Sequence, residues 1–218
     1  MGTRRRPGAH RPSARLFAHD RALGLDRLAG ADEAGRGCLA GPLVVAAVCL
    51  DIGRMPPRAR RALGDLDDSK RLTPAVRERV AAAILRHAEQ VVVVSAGPAT
   101  IDRDGLHRTN LRLLARALAA IEPCPSLCLV DGFRLGEAAP AHRAVVGGDR
   151  TSACIAAAAV IAKVTRDRLM RGPMARAYPG FGFDRHLGYA TPDHHAALAA
   201  EGMSPIHRRS FRSAAYPA

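Results

Sequence analysis

Asp32 and Glu33 stand side by side between an apolar run and the turn Gly35-Arg36-Gly37. Two adjacent carboxylates at the end of a buried segment are costly unless a cation neutralises them. Gly35 and Gly37 let the backbone approach another group with no Cβ in the way, and Arg36 adds positive charge. Carboxylates suit a hard divalent cation and backbone N–H groups suit a phosphate, so the segment points to phosphodiester chemistry. The plainer alternative is a solvated Asp-Glu pair at a strand end before a glycine turn. Two more acids share the setting: Asp131 closes an apolar run before Gly132, and Asp149 follows Gly147-Gly148. Carboxylates at strand ends converge at one edge of an open α/β sheet. Three or four of them would hold Mg²⁺ or Mn²⁺ through oxygen and leave places for water and a substrate phosphate. Two ions ~3.5–4 Å apart could activate the attacking water and stabilise the leaving oxygen. Neighbours on a regular strand point to opposite faces. Asp32 and Glu33 therefore act together only if the strand ends or distorts at Ala34-Gly35.

The elements that must place these acids read as α/β. A short helical pattern over Pro12 to Arg27 leads into a strand from Leu28 to Asp32, and Leu43 to Leu50, apolar on both faces, reads as a central strand. Thr73-Pro74 opens a helix running to about Glu89, followed by a strand from Val91 to Ser95. Leu106, Thr109, Leu113, Leu114, Ala117, Leu118 and Ile121 recur at helical spacing, with Pro123 and Pro125 closing that helix. Ser126 to Asp131 is another buried strand, Val145 and Val146 lead into the Gly-Gly-Asp turn, and a long helix spans about Thr151 to Met170. After a loop at Gly180-Phe181-Gly182-Phe183, Thr191-Pro192 opens a last helix toward Glu201. The expected fold is a mixed central sheet flanked by helices with a C-terminal helical segment.

The 218 residues fit one domain, large enough to bury ~70% of the unfolded surface. Residues 1–11 are expected to be a disordered basic arm, and 12–218 the catalytic domain. A net charge of +13 favours a polyanionic partner through counterion release. Of 33 basic residues only Lys70 and Lys163 are lysines, a bias that genome composition also produces. The five cysteines, Cys38, Cys49, Cys124, Cys128 and Cys154, are odd in number and mostly lie in apolar runs, which argues for a reduced compartment over a disulfide framework. Cys124 and Cys128 have no matching second pair for zinc. No apolar run reaches the ~18 residues of a membrane span, and the start lacks the apolar stretch of a secretion signal. The expected location is the cytoplasm.

Eight segments occur in order: 32–37 (Asp-Glu-Ala-Gly-Arg-Gly), Asp68-Ser69-Lys70, Val130-Asp131-Gly132, Gly147-Gly148-Asp149, 155–167, Tyr178-Pro179, 188–191 and 206–211. Together the set, over roughly residues 12 to 212, closely resembles bacterial ribonuclease HII. The resemblance implies a ribonuclease H-like fold and an endonuclease that cuts the RNA strand of RNA–DNA hybrids. It also implies incision 5′ of ribonucleotides embedded in duplex DNA, giving 3′-hydroxyl and 5′-phosphate ends with Mn²⁺ or Mg²⁺. Carried over by motif, Asp32, Glu33, Asp131 and Asp149 become the metal-binding acids. The Gly35-Arg36-Gly37 backbone would contact the ribose 2′-hydroxyl, which distinguishes RNA from DNA. Ser69 and Lys70 would hold phosphate, and Tyr189 would stack on the sugar beside the junction. A monomer without membrane association is expected. Against the family pattern, Leu187 stands where Lys is usual and Ala159 where Ser is common, and the chain stops soon after Phe211.

Several residues have plainer roles to weigh. Asp167 is i+4 from Lys163 and reads as a local pair more than a metal ligand. His207 before Arg208-Arg209 reads as structural or phosphate-binding, His194-His195 as surface, and Tyr178 as packing. Lys163 is a candidate to balance the acidic cluster. A hybrid-binding protein without turnover would use the same basic surface, but four acids beside phosphate would serve no purpose in it. A ribonuclease HIII would need a folded N-terminal domain, for which ~28 residues before the first strand are too few.

Overall fold

In a computed structural model, residues 12–137, 139–213 and 216 are described; the expected basic arm at 1–11 lies outside them. In chain order these form α1 (Pro12–Ala22), β1 (Arg27–Ala34), β2 (Leu43–Asp51), α2 (Pro57–Ala62), α3 (Pro74–His87), β3 (Gln90–Ala96), α4 (Pro98–Asp104) and α5 (Leu106–Ala119). Then follow β4 (Leu127–Asp131), β5 (His142–Val145), α6 (Ala153–Leu169), α7 (Ala175–Ala177), α8 (Phe183–His186) and α9 (Pro192–Glu201). The sheet order is β3-β2-β1-β4-β5. β2 runs antiparallel to both β1 and β3, whereas β4 is parallel to β1 and β5 parallel to β4. The expected mixed, helix-flanked sheet is what forms.

Alternation along β1 divides the interior. Leu28 and Ala34 join the core shared with α1, α3 and α6, whereas Ala29 and Ala31 join the core shared with α5. β2 is buried from Leu43 to Leu50, as its unbroken apolar run requires. α6 lies almost flush on the sheet. A Cβ at Gly30 would come within 2.2 Å of the Cys154 carbonyl carbon, and Ala153, Ala156, Ala157, Ala158 and Ala162 are all completely buried.

Helix starts follow their caps. Thr73 Oγ1 accepts from Val76 N–H (3.4 Å) and Thr191 Oγ1 from His194 N–H (3.3 Å), each with proline in the first turn. Beyond α6, a π turn over Met170–Met174 and the short helices α7 to α9 enclose a third core around Met170, Phe181, Phe183, Leu187 and Leu198. This is the expected C-terminal helical segment. Among the described residues no helix is long and apolar enough to cross a membrane.

Besides the short helices α2, α4, α7 and α8, which the sequence reading did not include, three details differ from it. α1 stops at Ala22, with Arg27 already in the sheet. β5 is a parallel edge strand where a simple lead-in to the Gly-Gly-Asp turn was expected. β1 also runs past Asp32 to Ala34, so both acids lie within a regular strand.

Candidate active site

The way β1 ends reconciles two adjacent acids with one site. Its ladder to β2 continues to Ala34↔Val44, but its ladder to β4 stops at Ala31↔Val130. Residues 32–34 therefore overhang on the β4 side, beside Asp131 at the last position of β4. Asp32 lies on the α6 face and Glu33 on the α5 face, as strand geometry demands, yet both feel the charge of Asp131. The ladder to β2 stays regular through both residues. Asp149 completes the group from the 3₁₀ turn Gly148–Arg150, which precedes α6.

Local hydrogen bonds orient the acids. Asp32 Oδ1 accepts from Glu33 N–H (2.6 Å) and Asp131 Oδ1 from Gly148 N–H (2.7 Å). The second bond ties β4 to the Asp149 turn. Burial pushes the Asp32 carboxyl well above the usual carboxylate range, and the charges of Glu33, Asp131 and Asp149 push it the same way. Burial also raises Glu33, eased by Asn110 and Arg36. Burial raises Asp131 too, eased by the Gly148 N–H. Lys70 Nζ stands 3.5 Å from Asp149 Oδ2, and its charge also eases Glu33 and Asp131.

The donor set suits a hard divalent ion: four carboxylates, with Glu33 Oε2 buried and lacking any hydrogen-bond partner. Among the described residues no three acidic, imidazole or thiol groups already close tightly around one point. The acids are electrostatic neighbours whose repulsion a cation would relieve. On the α5 side, the Asn110 amide is completely buried beside Glu33, and neither of its polar atoms makes a full hydrogen bond.

The glycine turn is held from behind by two buried arginines. Arg166 of α6 donates to the carbonyls of Pro42 (3.0 Å), Leu187 (3.0 Å) and Ala40 (2.9 Å). Arg208 donates to Arg36 O (2.8 Å) and twice to Gly41 O (3.2 and 3.0 Å), and burial lowers its pKa to about 10. A Cβ at Gly35 would lie 1.9 Å from Arg166 Nε, and Gly35 has φ +88°, so glycine is obligatory there. Gly37 faces open space. The close approach expected of Gly35 is to this chain's own arginine, while Gly37 leaves the outer side open. Arg36 stacks its guanidinium 4.6 Å above the Phe133 ring and stands 3.9 Å from Glu33.

Ser69 is buried and its carbonyl accepts from Arg77 Nε (2.9 Å), whereas the Lys70 side chain is exposed. Of this pair, Lys70 is the residue that offers its side chain to the site. Tyr189 is 39% exposed, its ring 5.2 Å from Lys163 Nζ and 5.8 Å from the Arg166 guanidinium, and burial pushes its hydroxyl up to about 12. Lys163 pairs with buried Asp167 (2.6 Å), which also faces Arg77 (3.5 Å). The local pairing expected of Asp167 is what forms, but Lys163 supports Tyr189 and does not balance the four acids.

The sequence pattern predicts a surface position for His194; it is completely buried. Ser204 N–H donates to His207 Nδ1 (2.9 Å), leaving the proton on Nε2, which donates to His194 Nε2 (3.0 Å). His194 Nδ1–H then donates to Tyr189 O (2.8 Å). His186 stacks on His194 with ring centres 4.3 Å apart. A buried pair thus reaches the backbone of Tyr189 from the C-terminal segment. The signal is slight: alternating polar residues in a short helix look like a solvated face.

A family model, ribonuclease HII, matches residues 29–214. A ribonuclease HII of Mycobacterium avium is 50% identical over 188 residues, covering 86% of this chain and 79% of that protein. The crystal structure of ribonuclease H2 from Pyrococcus horikoshii superposes with a TM-score of 0.72 at 27% identity, over 85% of this chain and 93% of that one. A ribonuclease HIII structure, Bst-RNase HIII in complex with Mn²⁺, shares the fold with a TM-score of 0.63 at 22% identity, over 93% of this chain and 68% of that one. The overhang of β1, the acid closing β4 and the acid before α6 are thus set in a frame whose sequence and fold agree, and the chain belongs to the ribonuclease HII family of metal-dependent ribonucleases.

Proposed function

We propose that this protein cleaves the RNA strand of RNA–DNA hybrids and incises 5′ of single ribonucleotides in duplex DNA, leaving 3′-hydroxyl and 5′-phosphate ends. The observation that carries this reading is the gathering of Asp32, Glu33, Asp131 and Asp149 at one end of the sheet, three of them with raised pKa values. These four acids would hold a pair of Mn²⁺ or Mg²⁺ ions. The bound ions supply an activated water and neutralise charge that builds on the scissile phosphate.

The remaining work falls to the chain. Backbone N–H groups of residues 35–37, held by Arg166 and Arg208, meet the ribose 2′-hydroxyl across the open side at Gly37. Lys70, on an exposed stem, moves from Asp149 to a substrate phosphate. Tyr189 stacks on the sugar at the junction; with its hydroxyl near 12 it is no proton carrier at neutral pH. Residues 12–218 act as one catalytic domain and as a monomer, since one chain supplies every group. The five free cysteines fit a reducing cytoplasm.

The test is a duplex carrying one ribonucleotide, incubated with the protein with and without Mn²⁺ or Mg²⁺. Metal-dependent incision on the 5′ side is expected, together with loss of cleavage in Asp131→Asn. Metal-independent cutting, or cutting of all-DNA duplex at the same rate, would refute the reading.

A further inference from the structure

α1 precedes the segment matched by the family model, and its apolar residues Leu16 and Phe17 pack it into the main core. Its polar residues reach elsewhere. Asp20 is a completely buried carboxylate. Its Oδ2 accepts from Ser152 Oγ (3.1 Å) and Cys154 N–H (3.0 Å), and its Oδ1 faces His19 Nδ1 (3.0 Å). Ser152 is the N-cap of α6, its Oγ accepting from Ile155 N–H (3.3 Å). Asp20 therefore supplies negative charge where α6 presents free N–H groups, and it fixes the capping hydroxyl. Earlier in α1, Arg15 Nη2 donates to Arg150 O (2.8 Å).

Both attachments fall on one short stretch. Arg150 follows Asp149 directly, and Ser152 comes three residues after it. Inside the stretch, Thr151 Oγ1 closes the turn onto Gly147 O (2.9 Å), and Gly148 N–H is bound by Asp131 (2.7 Å). Asp131 thus holds the leading side of the Asp149 turn, and α1 holds the trailing side. A carboxylate enclosed this fully needs donors, and here they come almost wholly from the segment that carries the fourth acid.

We propose that α1 is a working part of the active site: Asp20 and Arg15 are positioning residues that set Asp149 against the acids of β1 and β4. The proposal rests on the reading of Asp149 as a metal-binding acid. Neither residue touches substrate. Both act through the backbone of residues 150–154.

The experiment measures Mn²⁺ binding to the full chain by calorimetry without substrate, together with kcat and KM on the single-ribonucleotide duplex. Asp20→Asn keeps the shape and removes the charge. It is expected to weaken Mn²⁺ binding at least about five-fold and to lower kcat while KM for the duplex stays unchanged. Arg15→Ala, a surface change that leaves the core intact, is expected to act in the same direction about two-fold, and it decides the matter if Asp20→Asn does not fold. In an Asp149→Asn background, Asp20→Asn should weaken Mn²⁺ binding no further, because residues acting through one group are non-additive. If Asp149→Asn weakens Mn²⁺ binding while the α1 variants bind like the parent, the proposal is overturned and the site stands. If Asp149→Asn itself binds Mn²⁺ like the parent, the reading of Asp149 falls and the proposal with it. Equal loss from Asp20→Asn in the parent and Asp149→Asn backgrounds would show a general structural role and also overturn it.

Discussion

At Asp131 the protein encloses a negative charge that the Gly148 N–H and Lys70 offset only in part. Its carboxyl is raised by burial and by Asp149, so the ionised, metal-free form is destabilised near neutral pH. A raised carboxyl binds its proton in the folded state, so in metal-free protein this site costs stability as pH rises from the ordinary range near 4 through the folded value. Asp131→Asn removes that cost. Its melting temperature without metal should exceed that of the parent at pH 7.5, while cleavage falls on the order of a thousand-fold, the loss of several kcal/mol of transition-state stabilisation. A scanning calorimeter and a gel assay check both. A variant that melts lower and still cuts would contradict the account at each point.

Tyr189 calls for a different substitution pair. Its aromatic face is open while its hydroxyl lies toward buried Cys38. Tyr189→Phe should keep most incision activity, whereas Tyr189→Ala should lose ~1–3 kcal/mol of stacking, about five- to 150-fold. Equal losses in steady-state assays would assign the work to the hydroxyl. The acids could be picked out in the sequence because each ends an apolar run or follows a glycine pair, and Tyr189 because it is one of three tyrosines and follows a glycine. Arg166 and Arg208 could not. Both fall inside segments that carry the resemblance, 155–167 and 206–211, but nothing among 31 arginines tells which guanidinium groups will be buried against carbonyls.

Among elements, the C-terminal segment is tied to the site through imidazoles that must be neutral. In the Ser204–His207–His194–Tyr189 chain every nitrogen already has its role, and an added proton would set two donors against each other. Burial lowers His194 to about 4 and His207 in the same direction. A histidine depressed in the folded state leaves the unfolded chain holding more protons between about 4 and 6.5, so stability is full above that window and lost as pH falls through it. Melting temperatures from pH 7.5 to 4.5 should drop more steeply for the parent than for His194→Gln. The raised acids of the site drift the other way, and Asp102 and Asp104, which are lowered, drift the same way, but all are shared by both proteins, so the difference isolates the imidazole. Parallel curves would remove this role.

The longer elements were readable from period and caps: β2 from its apolar run, α3 and α9 from Thr-Pro, α5 from its apolar spacing. The short ones were not. α2 and α4 bury only Ala59 and Ile101 respectively, too little to leave a pattern. β5 is an edge strand with no fully buried residue, formed because β4 offers a parallel partner and not because His-Arg-Ala-Val prefers to extend. The strand end expected at Asp32 differs for a similar reason. What stops is the pairing with β4, and pairing belongs to two segments at once.

For the whole molecule, charge is the property with reach. The net +13 includes Arg4, Arg5, Arg6 and Arg11, which precede the described elements. Removing residues 1–11 should weaken duplex binding and flatten its dependence on salt, by ~0.9 in log–log slope for each phosphate that the arm neutralises, with kcat unchanged. Binding isotherms between roughly 50 and 200 mM salt would expose this, because neutralising ~6–10 phosphates changes affinity ~10³–10⁵-fold over that range. An unchanged slope would mean that the arm does not meet nucleic acid.

The bed of alanines under α6 has a consequence for how this chain can change over time. Gly30 and the buried alanines fix the gap between helix and sheet, and through it the separation between Asp32 on β1 and Asp149 ahead of α6. These residues have no chemistry to lose, yet they have little liberty to drift. In a saturation library scored for incision, Ala157 and Gly30 should reject replacements by size, passing serine more readily than leucine. Asp32 and Asp131 should reject them by charge and reach, with glutamate and alanine both failing. Two kinds of intolerance would then mark one site: one from the acids proposed to hold the metal, the other from residues that only keep the distance.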